Sequence, residues 1–535
     1  FFRFHLMADL IFRNVEIYDG LGSDPYESDI AIERGYITRI DSSITEKSQK
    51  EIDATGLAIC PGFIDIHGHS DYYLLINPSA EAKVKQGITT DVGGNCGYSA
   101  APIHGSEFYA RKSLYKEQFD LDLSFHSLKE YLQRMQEQGI ALNYVPLIGH
   151  NTIRASVMGG SATPCNKKQL FEMEKLVDEA MRQGAFGLST GLVYAPANFA
   201  ESSELVSLCK IAANRGGFFA THMRSEGDSL IESIHEVLNI SKEAEIPIQI
   251  SHLKTAGEKN WSKLDAAFDL IEERRDIGQD VTCDRYPYIA SNTHLSALLP
   301  DWAHEGLMNE KIERLKKKEI RKLLILELSE KRSKEKDWNS ILISRVLTKK
   351  NKDAEGKTVL QLAKIKSKDP AEVTLDLLIE EKLNVEIIIF MMNEGNMRKI
   401  IKKDYTMIGS DAGALTHKPP LGVGKPHPRN FGTFPQVLGS LVVKEKLMTM
   451  SEAIRKMTSL PCSRLGINDR GKIDINMKAD LVLFDSKKIQ DKSTYQNPMV
   501  YPEGIKMVLV NGISVVEDGE YTGALPGITL KKSIL

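Results

Sequence analysis

The sequence predicts an α/β protein whose central part is a (β/α)8 barrel, and three observations predict it. Eight apolar, β-prone runs each close on a polar or glycine-flanked residue, amphipathic helical stretches separate them, and two alternating, hairpin-rich segments sit at the two ends of the chain. Strands alternating with helices argue for parallel strands joined by crossover helices. Eight such units make a TIM-type barrel, whose active sites gather at the carboxyl ends of the strands. The expected strands end at His67 (ICPGFIDIH), Asn95 (GITTDVGGN), Gly149 (YVPLIG), Gly191 (AFGLSTG), His222 (GGFFATH), His252 (IPIQISH), Tyr286 (DVTCDRY) and Asp411 (YTMIGSD).

Each remaining element has its own signal. LIFRNVEIYDG and SDIAIERGYITRI alternate with a turn at Arg34-Gly35, and IKMVLVNGISVVEDGE carries Asn511-Gly512, a two-residue hairpin dipeptide. The two ends are therefore expected to pair as one small β-sandwich, residues 7–58 with 461–535, around a barrel of 59–460. Leu205, Leu208, Cys209 and Ala212, and again Leu264, Ala267, Phe268 and Ile271, follow the 3.6-residue helical period. The seventh connection is too long for one crossover helix, so an inserted subdomain is expected over 293–350. Within it, 311–337 holds 11 Lys/Arg against 6 Asp/Glu. A solvated helix face is the ordinary reading of such a run.

Composition bounds the function. The chain has 535 residues, with 69 Lys+Arg against 72 Asp+Glu and a net charge of −3, so no chain-wide basic surface exists for nucleic acid or membrane. Six cysteines without a CxxC pair point to a reducing, cytoplasmic compartment. The opening FFRFHLMADLIF is interrupted by Arg3, His5 and Asp9, which disfavours a signal peptide. Met7 is the expected native start. No run reaches the roughly 20 apolar residues of a membrane span.

The chemistry is expected at the strand ends. His67-Gly68-His69 puts two imidazoles two residues apart on extended backbone, so both point to the same side. His222, His252 and Asp411 each close another strand at what would be the same rim. Four imidazoles and a carboxylate converging there suit zinc better than magnesium or calcium. Cys96, between glycines in GGNCGYS, is either an inert buried thiol or a further thiolate ligand. Arg224 (HMRSE) and Arg429 (PHPR) are rim cations able to hold an anion.

PGFIDIHGHSD, KQGITTDVGGNCGYSAAP, GHNTIRASVMG, GAFGLSTGLVYAP, ATHMRSEGD, ISHLKTAG, DRYPYIAS, IGSDAG and KPHPRNFGTFPQVLG together resemble the N-acyl-D-amino-acid deacylases, or D-aminoacylases, of the amidohydrolase superfamily. The resemblance covers essentially the whole chain from Met7. It implies a zinc-dependent barrel enzyme that hydrolyses N-acyl-D-amino acids, small-molecule substrates, to a carboxylate and a free D-amino acid. It also implies one or two zinc ions on His67, His69, Cys96, His222, His252 and Asp411. Lys254 and Tyr286 would grip the substrate's α-carboxylate, with Ser291 as a third partner. Asp411 is then the expected general base and acid. Two other readings stay open. Hydantoinases and dihydroorotases of the superfamily usually bridge two metals with a modified strand-four lysine, but AFGLSTGL has none. A non-catalytic scaffold would be expected to have lost a ligand, and all six stand.

Overall fold

The computed structural model describes residues 7–532, so the reading of the six residues before Met7 lies outside the described residues. Both ends of the chain build one sheet. Strands Ala8–Ile17, Tyr26–Glu33, Tyr36–Asp41, Ser48–Asp53 and Ala58–Pro61 join Leu481–Phe484, Ile505–Val510, Ile513–Glu517 and Glu520–Tyr521 in a nine-stranded sheet. The seam is the antiparallel pairing of Leu481–Phe484 with Ala58–Pro61. Arg34-Gly35 and Asn511-Gly512 all take positive φ (52°, 80°, 49° and 81°), as tight two-residue hairpins require. One face of the sheet buries Leu10, Phe12, Ile30, Ile32, Leu481 and Leu509 in a common apolar cluster.

Eight parallel strands make up the centre: β1 (Phe63–Asp65), β2 (Ile88–Gly93), β3 (Asn143–Pro146 continued by Ile148–Gly149), β4 (Gly187–Gly191), β5 (Phe218–His222), β6 (Ile248–Ile250), β7 (Val281–Arg285) and β8 (Thr406–Ile408). Each of β1 to β7 pairs in parallel with its successor, except that β3 takes β2 on its first segment and β4 on its second. Beyond β8, Asp411 N donates to His67 O (2.7 Å) and His69 N to Ala412 O (2.9 Å), which lays the end of the last strand beside the end of the first. Every residue of these strands is buried, as both faces of a helix-covered parallel sheet must be. Helices Ser202–Ala213 and Leu264–Asp276 bury Leu205, Leu208, Cys209 and Ala212, and Leu264, Ala267, Phe268 and Ile271. These are the faces that the spacing predicts.

The chain between β7 and β8 folds around a core of its own. Ala290–His294, Glu386–Phe390 and Ile341–Arg345 form a three-stranded antiparallel sheet, and the apolar cluster it shares with helices Lys318–Lys331 and Pro370–Glu380 runs from Leu295 to Ile387. This unit reaches well past residue 350. Helix Glu394–Lys402 then leads back to β8. In the basic run, Lys316 pairs with Glu313 (2.7 Å) and Arg321 with Asp376 (2.8 Å) on helix surfaces. No described helix is long and apolar enough to cross a membrane.

Candidate metal centre and active site

At the carboxyl ends of the parallel strands six side chains converge in two groups. His67, His69, Cys96 and Asp411 form one, and Cys96, His222 and His252 the other. Within each group the possible ligand atoms lie within 4.8 Å of one another, and Cys96 belongs to both. Its Sγ is 3.3 Å from His67 Nε2 and 3.5 Å from His252 Nε2. Asp411 Oδ1 is 2.9 Å from His69 Nε2 and 3.6 Å from His67 Nε2. All six expected ligands thus meet, although five of them lie two to four residues beyond the last ladder residue of their strand.

The reason is local. Cys96, His252 and Asp411 have φ of 51°, 37° and 51°, the left-handed region that side chains with a Cβ rarely occupy and that recurs at functional sites. Leaving the ladder in this way turns each side chain inward over the strand ends. Glycine makes the approach possible at two points. A Cβ on Gly68, between the paired histidines, would stand 1.9 Å from Asp91 Oδ1, and one on Gly97 (φ +79°) would stand 1.8 Å from Asn151 Oδ1.

Two buried carboxylates orient the imidazoles. Asp284, on β7, takes His67 Nδ1 at 3.1 Å and accepts from the His252 backbone N–H (2.8 Å) and Gln249 Nε2 (2.7 Å). Glu226 takes His252 Nδ1 at 2.8 Å and pairs with Lys254. Donation from Nδ1 leaves the Nε2 lone pair of His67 turned toward Cys96, the arrangement that fixes a metal-ligating histidine, while His252 Nδ1 is held between Glu226 and the Lys254 ammonium, 2.7 Å away, with its Nε2 also facing Cys96. Burial by itself would push the Cys96 thiol up, but the His67 and His252 imidazoles outweigh it and hold the group well below the ordinary thiol range. Likewise burial opposes ionisation of Asp411, yet Arg429 and then His69 keep it well below the usual carboxylate range. Thiolate, carboxylate and imidazole are a donor set that suits zinc. His222 Nδ1 is also buried without a hydrogen-bond partner among the described residues, and such an ion would satisfy it. The residues fit the metal.

Beneath this cluster lies a cation that sequence reasoning missed. Lys83, in the short helix α1 (Glu81–Val84), is fully buried. Its Nζ pairs with Asp65, and lies 3.3 Å from Asp91 Oδ1, 3.0 Å from Ser410 Oγ and 2.9 Å from Ala412 O. Asp65 in turn accepts from the Ser410 backbone N–H (2.8 Å). One ammonium group therefore ties the stretch before His67 to the residues on both sides of Asp411. Asp284 and Glu226 were missed as well. The available signals were a carboxylate inside the apolar run VTCDR, and Glu226 four residues past His222.

A cavity of about 770 Å³ opens over the cluster, lined among others by His69, Cys96, Asp411, Lys254, Tyr286, Ser291, Arg224 and Arg429. Tyr286 stands directly after β7, fully buried, with its hydroxyl unpartnered among the described residues. Its ring lies between cations, with Arg285 Cζ 4.3 Å, Arg429 Cζ 4.8 Å and Lys254 Nζ 6.0 Å from the centroid. Arg429 is 2.8 Å from Asp411 Oδ2, but neither its Nε nor that Nη1 is aligned for a hydrogen bond. Arg224 differs. It is held by Glu236 (2.9 and 3.1 Å), the Asn198 carbonyl (2.7 Å) and the Ala200 carbonyl (3.2 Å), so of the two rim arginines it braces the wall while Arg429 keeps free donors.

The comparisons agree with this geometry. The family model described as "Amidohydrolase family" matches residues 50–325. The chain is similar to the D-aminoacylase of Alcaligenes xylosoxydans xylosoxydans, 31% identical over 98% of either chain, and to the N-acyl-D-aspartate deacylase of the same organism, 32% identical over 97% of this chain and 93% of that protein. Its fold is also similar to the crystal structure of N-acyl-D-glutamate deacylase from Bordetella bronchiseptica, complexed with zinc and a phosphonate mimic of the tetrahedral intermediate. There the TM-score is 0.82 at 28% identity, covering 98% of this chain and 100% of that one. The chain belongs to the amidohydrolase family, in its N-acyl-D-amino-acid deacylase (D-aminoacylase) branch.

Proposed function

We propose that the protein is a zinc-dependent amide hydrolase that cleaves N-acyl-D-amino acids to a carboxylate and the free D-amino acid. The observation that carries the reading is Cys96, whose Sγ belongs to both donor groups with Asp411 beside it. β4 is GLSTG, without the lysine of the cyclic-amide hydrolases, and the thiolate stands where a shared ligand is needed. Bound by His67, His69, Cys96, His222, His252 and Asp411, one or two zinc ions would supply Lewis-acid polarisation of the amide carbonyl and a lowered pKa for water. Asp411, ionised at neutral pH and acceptor-only, takes the proton from the attacking water and delivers it to the departing amine, which cannot leave as an anion. His69, 29% exposed to the cavity through its side chain, is the imidazole best placed to donate toward the developing oxyanion.

Lys254, Arg429, the Tyr286 hydroxyl and Ser291 hold the α-carboxylate, while Arg224 acts through the wall it braces. Charge-assisted hydrogen bonds from such a set are the strong ones. Because the Tyr286 hydroxyl has no partner among the described residues, Tyr286→Phe should leave the melting temperature unchanged or slightly higher. It should also lower kcat/KM roughly 10- to 100-fold, the worth of one hydrogen bond to a charged group. Wild-type kinetics in that variant would remove Tyr286 from the site.

We further read the eight parallel strands as a closed TIM-type barrel. A β-sandwich formed by residues 7–58 and 461–535 flanks it, and the antiparallel unit of 290–390 is its inserted subdomain. Six free cysteines suit a reducing, cytoplasmic compartment. The decisive experiment incubates the purified protein with N-acetyl-D- and N-acetyl-L-amino acids and follows free amine. Release from D-substrates alone, abolished by chelation and restored by zinc, is expected. Cleavage of L-forms only, or full turnover after metal removal verified by elemental analysis, would overturn the reading.

A further inference from the structure

The cavity is larger than the smallest substrates of such a reaction. An N-acetyl amino acid has about a dozen heavy atoms and fills ~360 Å³ even at the ~30 Å³ that a water molecule takes in the liquid. The cavity holds about 770 Å³. Its lining differs from one part to another. The cations Lys254 and Arg429, with Tyr286, occupy the wall after β6, β7 and β8. Across the donor cluster the wall is aromatic. Tyr194 packs on the His222 ring at 5.1 Å and Tyr98 stands 5.9 Å beyond it. Tyr72 stacks on Tyr115 at 4.0 Å, and Tyr115 on Phe119 at 5.8 Å.

Helix α2 (Gly105–Phe119) supplies the far part of this wall in an unusual way. Of its fifteen residues only Phe108 is buried, while Leu114, Tyr115 and Phe119 are half-buried and line the cavity. A helix ordinarily turns its apolar stripe into the core. Here Tyr115 and Phe119 pack against the edge of the main apolar core and also face the cavity, and apolar groups around a concave space mark a binding surface. Two of the arginines near this arm are already matched, since Arg111 pairs with Glu107 (2.7 Å) and Arg345 with Glu386 (3.4 Å). The arm therefore offers stacking and apolar contact, with Arg111 and Arg345 already neutralised.

Resting on the deacylase reading above, we propose that this arm receives the acyl group and that the preferred substrates carry large apolar acyl groups, medium-chain alkyl or aryl, in place of acetyl. With the α-carboxylate on the cationic wall and the amide at the donor cluster, the acyl carbon points to Tyr194 and onward to α2.

The test compares initial rates for N-acetyl-, N-octanoyl- and N-phenylacetyl-derivatives of one D-amino acid. Burial of a methylene multiplies affinity by roughly three to four. Six added methylenes, even partly buried, should raise kcat/KM at least ~10-fold from acetyl to octanoyl. The phenylacetyl arm tells whether stacking or chain length dominates, and a gain with either acyl group supports the proposal. Leu114→Trp, which narrows the arm, and Phe119→Ala, which opens it, should each lower the octanoyl-to-acetyl ratio, the former by roughly fivefold or more. Two variants guard against misfolding of one. Acetyl substrate cleaved as well as or better than both larger ones would overturn the proposal and leave the deacylase reading intact. Failure to cleave any D-substrate would overturn both.

Discussion

Asp411→Asn is expected to lower kcat by about 100-fold or more while the protein remains folded, since positioned acid–base groups contribute roughly 10² to 10⁴ in rate. The substitution is isosteric. The amide oxygen can still accept from His69, whose Nε2 now lies 2.9 Å from the carboxylate. What disappears is the negative charge that could take a proton from water and return it to the amine. Arg429 is 3% exposed and loses its ion partner, so a stability loss of about 1–2 kcal/mol accompanies the change. Steady-state kinetics, thermal unfolding and elemental analysis on the same preparation separate the outcomes. Slow turnover with metal retained and folding intact supports the proton-transfer role, whereas near wild-type turnover refutes it.

The parts of this site that the sequence made legible are those that act through local pattern. HGH on extended backbone and single polar residues closing apolar strands are short-range signals, and all six expected donors assemble. Hairpin dipeptides at Arg34-Gly35 and Asn511-Gly512 are equally local. Illegible were residues whose role exists only across the fold. Asp284 meets His67 over 217 positions, and Lys83 meets Ser410 over 327. Nothing near a buried lysine in a four-residue helix announces its partners. Arg224 and Arg429 are alike as rim cations in sequence, and only the carbonyls and Glu236 around Arg224 tell them apart. The segment after β7 shows the same limit, because the strand Glu386–Phe390 that completes its sheet pairs with Ala290–His294 nearly a hundred residues earlier.

Lys83→Met is expected to destabilise the protein by about 3–5 kcal/mol, the usual consequence of removing one partner from a buried ionic network. Methionine fills the space of the aliphatic stem, so the loss is electrostatic. Asp65 and Asp91, both fully buried, would face each other without a cation, and the Ser410 and Ala412 contacts that steady Asp411 would go with it. The pH dependence carries a distinct sign. Burial, opposed by Lys83, already pushes the Asp91 carboxyl up to about 6. Without the lysine its folded-state value moves further above the unfolded one, so the folded state binds the extra proton and gains stability as pH falls. The difference in unfolding free energy between wild type and variant should therefore be largest near pH 8 and shrink toward pH 5. Adding Asp91→Asn to the variant should recover part of the loss at pH 8, because it neutralises one of the two stranded charges. A gap that stays constant or widens on acidification, with no recovery in the double variant, would mean that Lys83 contributes packing alone and that the tie between β1 and β8 has another origin.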